Sequence, residues 1–240
     1  MARNGKRYRK AREAIDPGIK YPVEQGVSLV KQCANAGFDE SVDLAVRLGV
    51  NPRQADQMVR GAISLPYGTG KSVRVVVFAE GEAARAAEEA GADEVGAEEL
   101  ISKVSDGWTE FDKAIAVRNM MAKGVGRLGR VLGPRGLMPN PKTGTVVAAD
   151  DVAQAVREVK GGRIDFRVER AGIVHTPIGK ASMEPEHIQE NLIAMVNMLM
   201  RLKPASAKGT YVRSVAISST MGPGIRLDAN EVVKLAGEFR

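Results

Sequence analysis

The sequence is poor in the residues that build disulfides and metal sites. Its 240 residues include one cysteine, Cys33, and two histidines, His175 and His187. A single thiol cannot form an internal disulfide, and these three residues lack the spacing of zinc ligands. We therefore expect a protein without a disulfide framework, a metal or any other cofactor.

Long apolar runs are missing as well. No stretch approaches the roughly 18 apolar residues of a membrane-spanning helix, and the basic first dozen residues lack the apolar core of a secretory signal. These absences predict a cytoplasmic protein with no membrane partner. Aromatic residues make up only 4% of the chain, which leaves few side chains for stacking against nucleic-acid bases.

Two glycine-rich stretches look like nucleotide-binding motifs, but each lacks a required neighbour. "GTGKS" at residues 68–72 matches the end of a P-loop, yet Leu65 replaces the first glycine and a β-branched run follows instead of a helix. "GVGRLG" at residues 124–129 has dinucleotide-binding spacing, but residues 118–123 separate it from the preceding strand. No nucleophile pattern accompanies either histidine. We therefore expect that the protein is not an enzyme.

Positive charge is concentrated in the two ends of the chain. Residues 67–158 carry 12 Lys and Arg against 14 Asp and Glu, whereas the remaining residues carry 23 against 15. Such an excess suits a polyanionic partner such as nucleic acid, although basic arms also serve as solubilising tails.

Hydrophobic periodicity differs between the middle of the chain and its ends. In the middle, apolar strands alternate with helices, which predicts parallel βαβ units. At the ends, residues 41–50 and 211–219 form strands, residues 58–65 suggest another, and residues 164–178 predict a hairpin that turns at Ala171 and Gly172. Helices are expected near residues 23–35 and 185–202.

The N-terminal end has too few strands to cover a core alone, and the C-terminal end has three strands and a helix with at least one sheet edge left over. The sequence therefore predicts an α/β fold of the α+β kind with a discontinuous domain, residues 1–66 and 160–240, that contains a four-stranded antiparallel sheet and two helices. An inserted Rossmann-like three-layer domain would span residues 67–159. Gly68 and Gly70 would then lie in one of the two hinges, where glycine lets the backbone change direction.

Three places at the ends of the chain are candidates for ligand contact. The stretch "SSTMGPG" at residues 218–224 offers a hydroxyl, a polarizable Met and glycines that a sugar 2′-OH or phosphate can approach, but a plain strand-ending turn explains it equally well. Phe38 follows Gly37 before a polar strand start and fits either the surface or the core. His175 is either a structural strand residue or, beside Lys180, a side chain that faces RNA.

Six stretches together resemble one family of ribosomal proteins over essentially the whole chain. They are "GKRYRKA" at 5–11, "FDESVDLAVRLGV" at 38–50, "VRGAISLPYGTGK" at 59–71, "LGRVLGPRGLMPNPKTGTV" at 128–146, "GIVHTPIGKASM" at 172–183 and "STMGPGIRL" at 219–227. The chain is thereby similar to the bacterial ribosomal protein L1 family. The resemblance also implies a discontinuous RNA-binding domain that holds both termini.

The resemblance implies a function on the ribosome. The expected partner is the stalk of the large-subunit ribosomal RNA near the exit site, with a role in releasing deacylated tRNA and in repressing translation of the protein's own operon by binding its mRNA. We also expect a monomer away from the ribosome. The resemblance implies that RNA is bound by Phe38, Ser41, Lys180, Ser214, Thr220, Met221 and Gly222. His175 is a further RNA-binding candidate, because it lies beside Lys180. Gly37 departs from the Lys that the family often has there, which puts one phosphate contact in doubt.

Overall fold

The computed structural model describes residues 5–239, apart from the side chain of Lys142. The first four residues of the predicted basic run lie outside the described residues. The chain forms two compact units: the first comprises residues up to Gly70 and from Ile164 onward, and the second comprises Lys71–Arg163.

The helices and strands alternate along the described chain. The α-helices are α1 Lys6–Glu13, α2 Val23–Cys33, α3 Glu82–Glu89, α4 Glu98–Ser105, α5 Arg118–Lys123, α6 Gly129–Leu132, α7 Val152–Lys160, α8 Pro185–Arg201 and α9 Ala229–Glu238. The strands are β1 Ser41–Leu48, β2 Arg60–Ser64, β3 Val75–Phe78, β4 Glu94–Gly96, β5 Lys113–Val117, β6 Val146–Val147, β7 Arg163–Arg167, β8 Ile173–Lys180, β9 Val212–Ser219 and β10 Ile225–Leu227.

The first unit is built on a four-stranded antiparallel sheet in the order β10-β9-β1-β8. In the central strand β1 the apolar residues at even positions are buried, whereas Arg47 on the other face is exposed. Successive side chains of a strand point to opposite faces, so one face of the sheet packs on the core and the other carries polar side chains. This sheet confirms the predicted fold class.

Helices α2, α8 and α9 contact the sheet and complete the core of the first unit. Helix α8 buries one face, on which Ile188, Leu192 and Leu199 are fully buried. The sequence predicts only two helices in this unit. The third, α9, begins where the Asp228 carboxylate accepts a hydrogen bond from the Asn230 N–H at 2.9 Å, a typical N-cap.

The predicted hairpin between residues 164 and 178 is wrong in its pairing. The turn exists, because the Gly172 N–H donates to the Glu169 carbonyl at 2.9 Å and Gly172 adopts a φ of +77°. However, β7 pairs with β2 in a separate two-stranded sheet, while β8 pairs with β1. The fourth strand of the main sheet is instead β10, which the sequence does not predict.

The second unit contains a parallel four-stranded sheet in the order β4-β3-β5-β6. All four residues of β3 are buried, as expected for a strand covered on both faces by helices. The side chains of Trp108 and Phe111 pack together in this unit with ring centroids 5.4 Å apart. The parallel sheet and its alternating strands and helices match the Rossmann-like domain that the sequence predicts.

The geometry around both glycine-rich stretches, residues 68–72 and 124–129, differs from that of nucleotide-binding sites. The Lys71 ammonium lies 2.5 Å from an Asp112 carboxylate oxygen, and the next regular element is strand β3, not a helix. The stretch that starts at Gly124 follows helix α5 and does not follow a strand directly. A phosphate-binding loop needs the N-terminus of a helix directly after it, and neither stretch supplies one after a strand.

Candidate nucleic-acid interface

Three strand ends meet at one edge of the first unit. The antiparallel register places Ser41, at the start of β1, opposite Lys180 at the end of β8. It also places Val42 opposite Ser219, so the loop after β9 lies on the other side of the same strand start. Residues from chain positions about 140 and 180 apart thus form one cluster.

Thr220 and Ser41 are joined by three hydrogen bonds. The Thr220 N–H donates to the Ser41 carbonyl at 3.0 Å, and the Ser41 N–H donates to the Thr220 hydroxyl at 3.0 Å. The Thr220 hydroxyl donates back to the Ser41 carbonyl at 3.3 Å. A hydroxyl has one proton and two lone pairs, so these bonds leave Thr220 with one lone pair for a further donor, such as a ribose 2′-OH.

Lys180 is held in place across the same strand end. Its ammonium donates to the Asp39 carbonyl at 3.2 Å and to the Ser41 hydroxyl oxygen at 3.0 Å. An ammonium has three protons, so one donor remains for an external acceptor. The Ser41 hydroxyl, which accepts from Lys180, keeps its own proton for donation. The Lys180 ammonium and the Ser41 hydroxyl therefore each offer one ordered hydrogen-bond donor to a phosphate or a sugar.

A buried carboxylate connects the two loops that flank this cluster. Glu40 is 1% exposed, and its two carboxylate oxygens accept the N–H groups of Ala36 and Met221, each at 2.8 Å. Burial by itself would raise the pKa of Glu40, but the hydrogen bonds from Met221 and Ala36, together with the charge of Arg7, hold that pKa below its usual value. Glu40 is therefore ionised at neutral pH and ties the two loops together.

Two large apolar side chains project from these anchored loops. Phe38 is 55% exposed and Met221 is 50% exposed. The structure thus places Phe38 at the surface and not in the core. The stretch around Met221 is indeed a turn, because the Gly222 N–H donates to the Ser219 carbonyl at 3.1 Å. The same turn leaves the Met221 side chain uncovered, so the turn and a ligand-binding loop are compatible.

The remaining two predicted residues lie along the polar face of the sheet and not in the cluster. His175 is exposed, with its Nε2 3.5 Å from a Glu169 carboxylate oxygen. Ser214 is exposed opposite Arg47, six residues along β1 from Ser41, which corresponds to about 20 Å. Phe38, Ser41, Lys180, Thr220, Met221 and Gly222 are therefore brought together, whereas His175 and Ser214 extend the same face.

Asp43 lies on this face between the cluster and His175. Burial raises the pKa of the Asp43 carboxyl, although the charge of a protonated His175 and that of Lys180 oppose that rise. A partly desolvated carboxylate on a surface that would meet phosphates is unfavourable by itself. The neighbouring Lys180 ammonium offsets that charge.

The sequence does not predict the residues that organise the cluster. In the sequence, Asp39 and Glu40 form only a polar start to a strand. In the structure the Asp39 carboxylate accepts from the N–H and the hydroxyl of Ser182, at 3.1 and 2.8 Å, and Glu40 is buried. Nothing local in the sequence marks either role, because the partners are distant along the chain.

Residues 5–239 contain neither a candidate metal site nor a candidate membrane-spanning helix. In that range no group of three or more His, Cys, Asp and Glu side chains could hold a metal ion. In the same range, no helix combines the length and the hydropathy needed to cross a membrane.

Comparison with known proteins identifies the family. Residues 29–223 match the profile of the ribosomal protein L1p/L10e family. The chain is 54% identical over 228 residues to the large ribosomal subunit protein uL1 of Desulfosudis oleivorans, which covers 95% of this chain and 96% of that protein. The chain belongs to the ribosomal protein L1p/L10e family. It is also 54% identical over 238 residues to the uL1 protein of Corynebacterium glutamicum strain R, which covers 99% of this chain and 100% of that protein.

Membership of this family confirms the resemblance that the sequence showed. A protein of the L1p/L10e family is a ribosomal protein and resides on the ribosome in the cytoplasm. The homologues are structural proteins of the ribosome, which agrees with the expectation that this chain is not an enzyme.

Proposed function

We propose that this L1p/L10e family protein is a structural constituent of the large ribosomal subunit that binds the stalk of the large-subunit ribosomal RNA near the exit site. The discontinuous first unit is the RNA-binding domain in this proposal, and the inserted unit does not make the main contact. The observation that carries it is the cluster at the end of the sheet, where Ser41, Lys180 and Thr220 are fixed by hydrogen bonds beside exposed Phe38 and Met221.

The chemistry of this cluster suits folded RNA. Single-stranded and splayed RNA nucleotides are recognised by stacking and by hydrogen bonds to the 2′-OH and base edges. Phe38 supplies an aromatic face and Met221 a polarizable one, while Thr220 keeps a lone pair and Lys180 keeps a proton for the sugar-phosphate backbone. The groups are already ordered in the free protein, which lowers the entropy cost of binding.

Substitution of Thr220 tests this proposal. Thr220→Val removes the hydroxyl but keeps the shape, and we expect it to weaken binding to a stalk RNA fragment by about 1 to 3 kcal/mol at fixed salt. Met221→Ala is expected to weaken it by a similar amount through lost contact area. The matched control is Thr210→Val, because Thr210 is also exposed but lies outside the cluster. Wild-type affinity of both cluster variants would contradict the proposal.

The finer roles that the family resemblance implies are part of the same proposal. The protein would assist the release of deacylated tRNA from the exit site, and the same surface would repress translation of its own operon by binding the mRNA. A competition experiment tests the shared surface: stalk RNA should displace the operon mRNA, and Thr220→Val should weaken both. Simultaneous binding of the two RNAs to one protein molecule would contradict it.

Other classes of function predict different binding measurements. An enzyme or a nucleotide sensor would show saturable binding of ATP or NAD in calorimetry, which we do not expect. A general DNA-binding protein would bind duplex DNA as well as stalk RNA, and we expect a clear preference for the RNA. Sedimentation of the free protein tests the predicted monomer.

A further inference from the structure

The basic residues of the first helix lack the ion pairs that basic residues make in the second unit. Within the described part of the chain, Lys71, Lys103, Lys123, Lys160 and Arg163 of the second unit each pair with a carboxylate. Helix α1 carries five cations and one carboxylate in eight residues, and none of these cations forms a salt bridge to a described residue. A dense set of unpaired cations is the electrostatic footprint of a polyanion-binding surface.

Packing fixes α1 beside the cluster. Ala11 of α1 is 9% exposed, and its carbonyl accepts a weak hydrogen bond from the Cys33 thiol with an Sγ–O distance of 3.7 Å. Arg7 of the same helix lies near enough to Glu40 for its charge to help lower that pKa. Arg7 of α1 is thus adjacent to Glu40, which joins the loops that carry Phe38 and Met221.

A cavity of about 300 Å³ opens where α1 approaches the loop after β9. Its walls include Tyr8 and Arg12 from α1, the exposed Ile19, and Pro223 and Arg226 from the other end of the chain. Pockets of this size hold small ligands, and about 300 Å³ is the lower end of their usual range.

The lining of this cavity carries a net positive charge. Arg12 and Arg226 are exposed and make no salt bridge within residues 5–239. The lining also contains Asp16, but one of its carboxylate oxygens accepts the Gly18 N–H at 2.8 Å. The lining residues therefore carry two positive charges and one negative charge, and the carboxylate is already engaged. Guanidinium groups bind phosphate oxygens in a planar, bidentate way, and the apolar wall of Ile19 and Pro223 suits a ribose or a base.

We propose that this cavity is a second RNA subsite, which receives one nucleotide of the strand that leaves the Thr220–Met221 cluster. Arg12 and Arg226 hold its phosphate, and the wall of Tyr8, Ile19 and Pro223 covers its sugar or base. The other cations of α1 add contacts to neighbouring phosphates. This inference rests on the proposed function, because it concerns the same RNA.

Salt-dependent binding separates a phosphate contact from a structural role. Each phosphate contact contributes about −0.7 to −0.9 to the slope of log affinity against log salt. Because the two arginines hold one phosphate, the double variant Arg12→Gln, Arg226→Gln should make the slope shallower by about 0.7 to 0.9, and weaken binding of the stalk RNA about 5- to 8-fold at 0.1 M salt. Ile19→Ser should weaken binding several-fold without changing the slope.

The control removes two cations elsewhere on the same unit. Lys208→Gln, Lys234→Gln changes the net charge equally at exposed positions outside the cavity and should keep the wild-type slope. Circular dichroism of each variant would verify folding. A loss of slope in this control equal to that in the arginine variant would overturn the subsite, because the effect would then be one of net charge alone.

The outcomes also distinguish this inference from the proposed function. If the arginine variant binds like the wild type while Thr220→Val binds weakly, the subsite is wrong and the cluster stands. If both bind like the wild type, the subsite and the proposed RNA-binding cluster are both wrong. A shallower slope for the arginine variant, together with weaker binding at a normal slope for Thr220→Val, supports both.

Discussion

Replacing Glu40 by glutamine tests whether a buried carboxylate organises the RNA-binding cluster. The two oxygens of Glu40 accept the N–H groups of Ala36 and Met221, each at 2.8 Å, and the side chain is 1% exposed. Glutamine keeps one acceptor, but its NH₂ group turns a donor toward the second N–H. One buried backbone N–H then loses its partner.

The size of the effect follows from that unpaired donor. A buried polar group without a partner costs about 1 to 3 kcal/mol, and hydrogen bonds to a charged acceptor are the stronger kind. We expect Glu40→Gln to lower the free energy of unfolding by about 2 kcal/mol at pH 7, which corresponds to a shift of Tm of roughly 4 to 8 °C for a chain of this size. Binding of stalk RNA should weaken too, because the loops of Phe38 and Met221 lose their shared anchor.

The pH dependence gives a second check on the same residue. Because the folded-state pKa of Glu40 is held below its usual value, its charge stabilises the protein above that usual value and the stabilisation is lost as the pH falls through the lowered pKa. Urea melts of both proteins should therefore differ most near pH 7 and converge in acid. The other carboxylates are common to both proteins and cancel in this difference.

Two results would refute the reasoning. If the unfolding free energies of Glu40→Gln and the wild type agree within about 0.5 kcal/mol at pH 7, the two hydrogen bonds do not carry the stability assigned to them. If the variant is destabilised equally at all pH values, the ionised form of Glu40 is not the one that matters.

Two further predictions concern the same surface. Gly222→Ala should weaken binding of stalk RNA, because an added Cβ would collide with the Ser219 hydroxyl and displace the turn. The control Gly224→Ala should bind like the wild type, because no heavy atom lies within 4 Å of its added Cβ. Equal affinities of the two variants in a gel-shift or fluorescence assay would contradict this prediction. Asp43→Asn should stabilise the free protein at pH 7, because burial raises the folded-state pKa of Asp43 and the charged form is therefore destabilising above that pKa. This gain should shrink as the pH falls, and urea melts that show no gain at pH 7 would count against it.

The sequence predicts those elements whose periodicity is long enough to show. Strand β1 alternates over eight residues and β3 is apolar throughout, so both are recognisable from sequence. The need for strands from both ends of the chain likewise predicts that the ends share one sheet. Strand β10 escapes because three residues are too few for a period-two pattern, although they complete the sheet.

Tertiary pairing explains the error at the predicted hairpin. Two apolar strands separated by a glycine turn predict a hairpin locally, yet β7 pairs with β2 and β8 with β1. The same limit applies to the cluster. Motifs point to Thr220 and Met221, but the role of Glu40 depends on an N–H group that lies 181 residues away in the sequence. No local pattern encodes such a contact.

Hydrogen–deuterium exchange of the full chain, with and without a stalk RNA fragment, tests the central claim most directly. We predict that the RNA slows exchange in residues 36–41 and 219–226, which form the cluster and one wall of the cavity, and that exchange in residues 71–163 changes little. Protection confined to residues 71–163, with no change around Ser41 and Thr220, would contradict the assignment of RNA binding to the first unit.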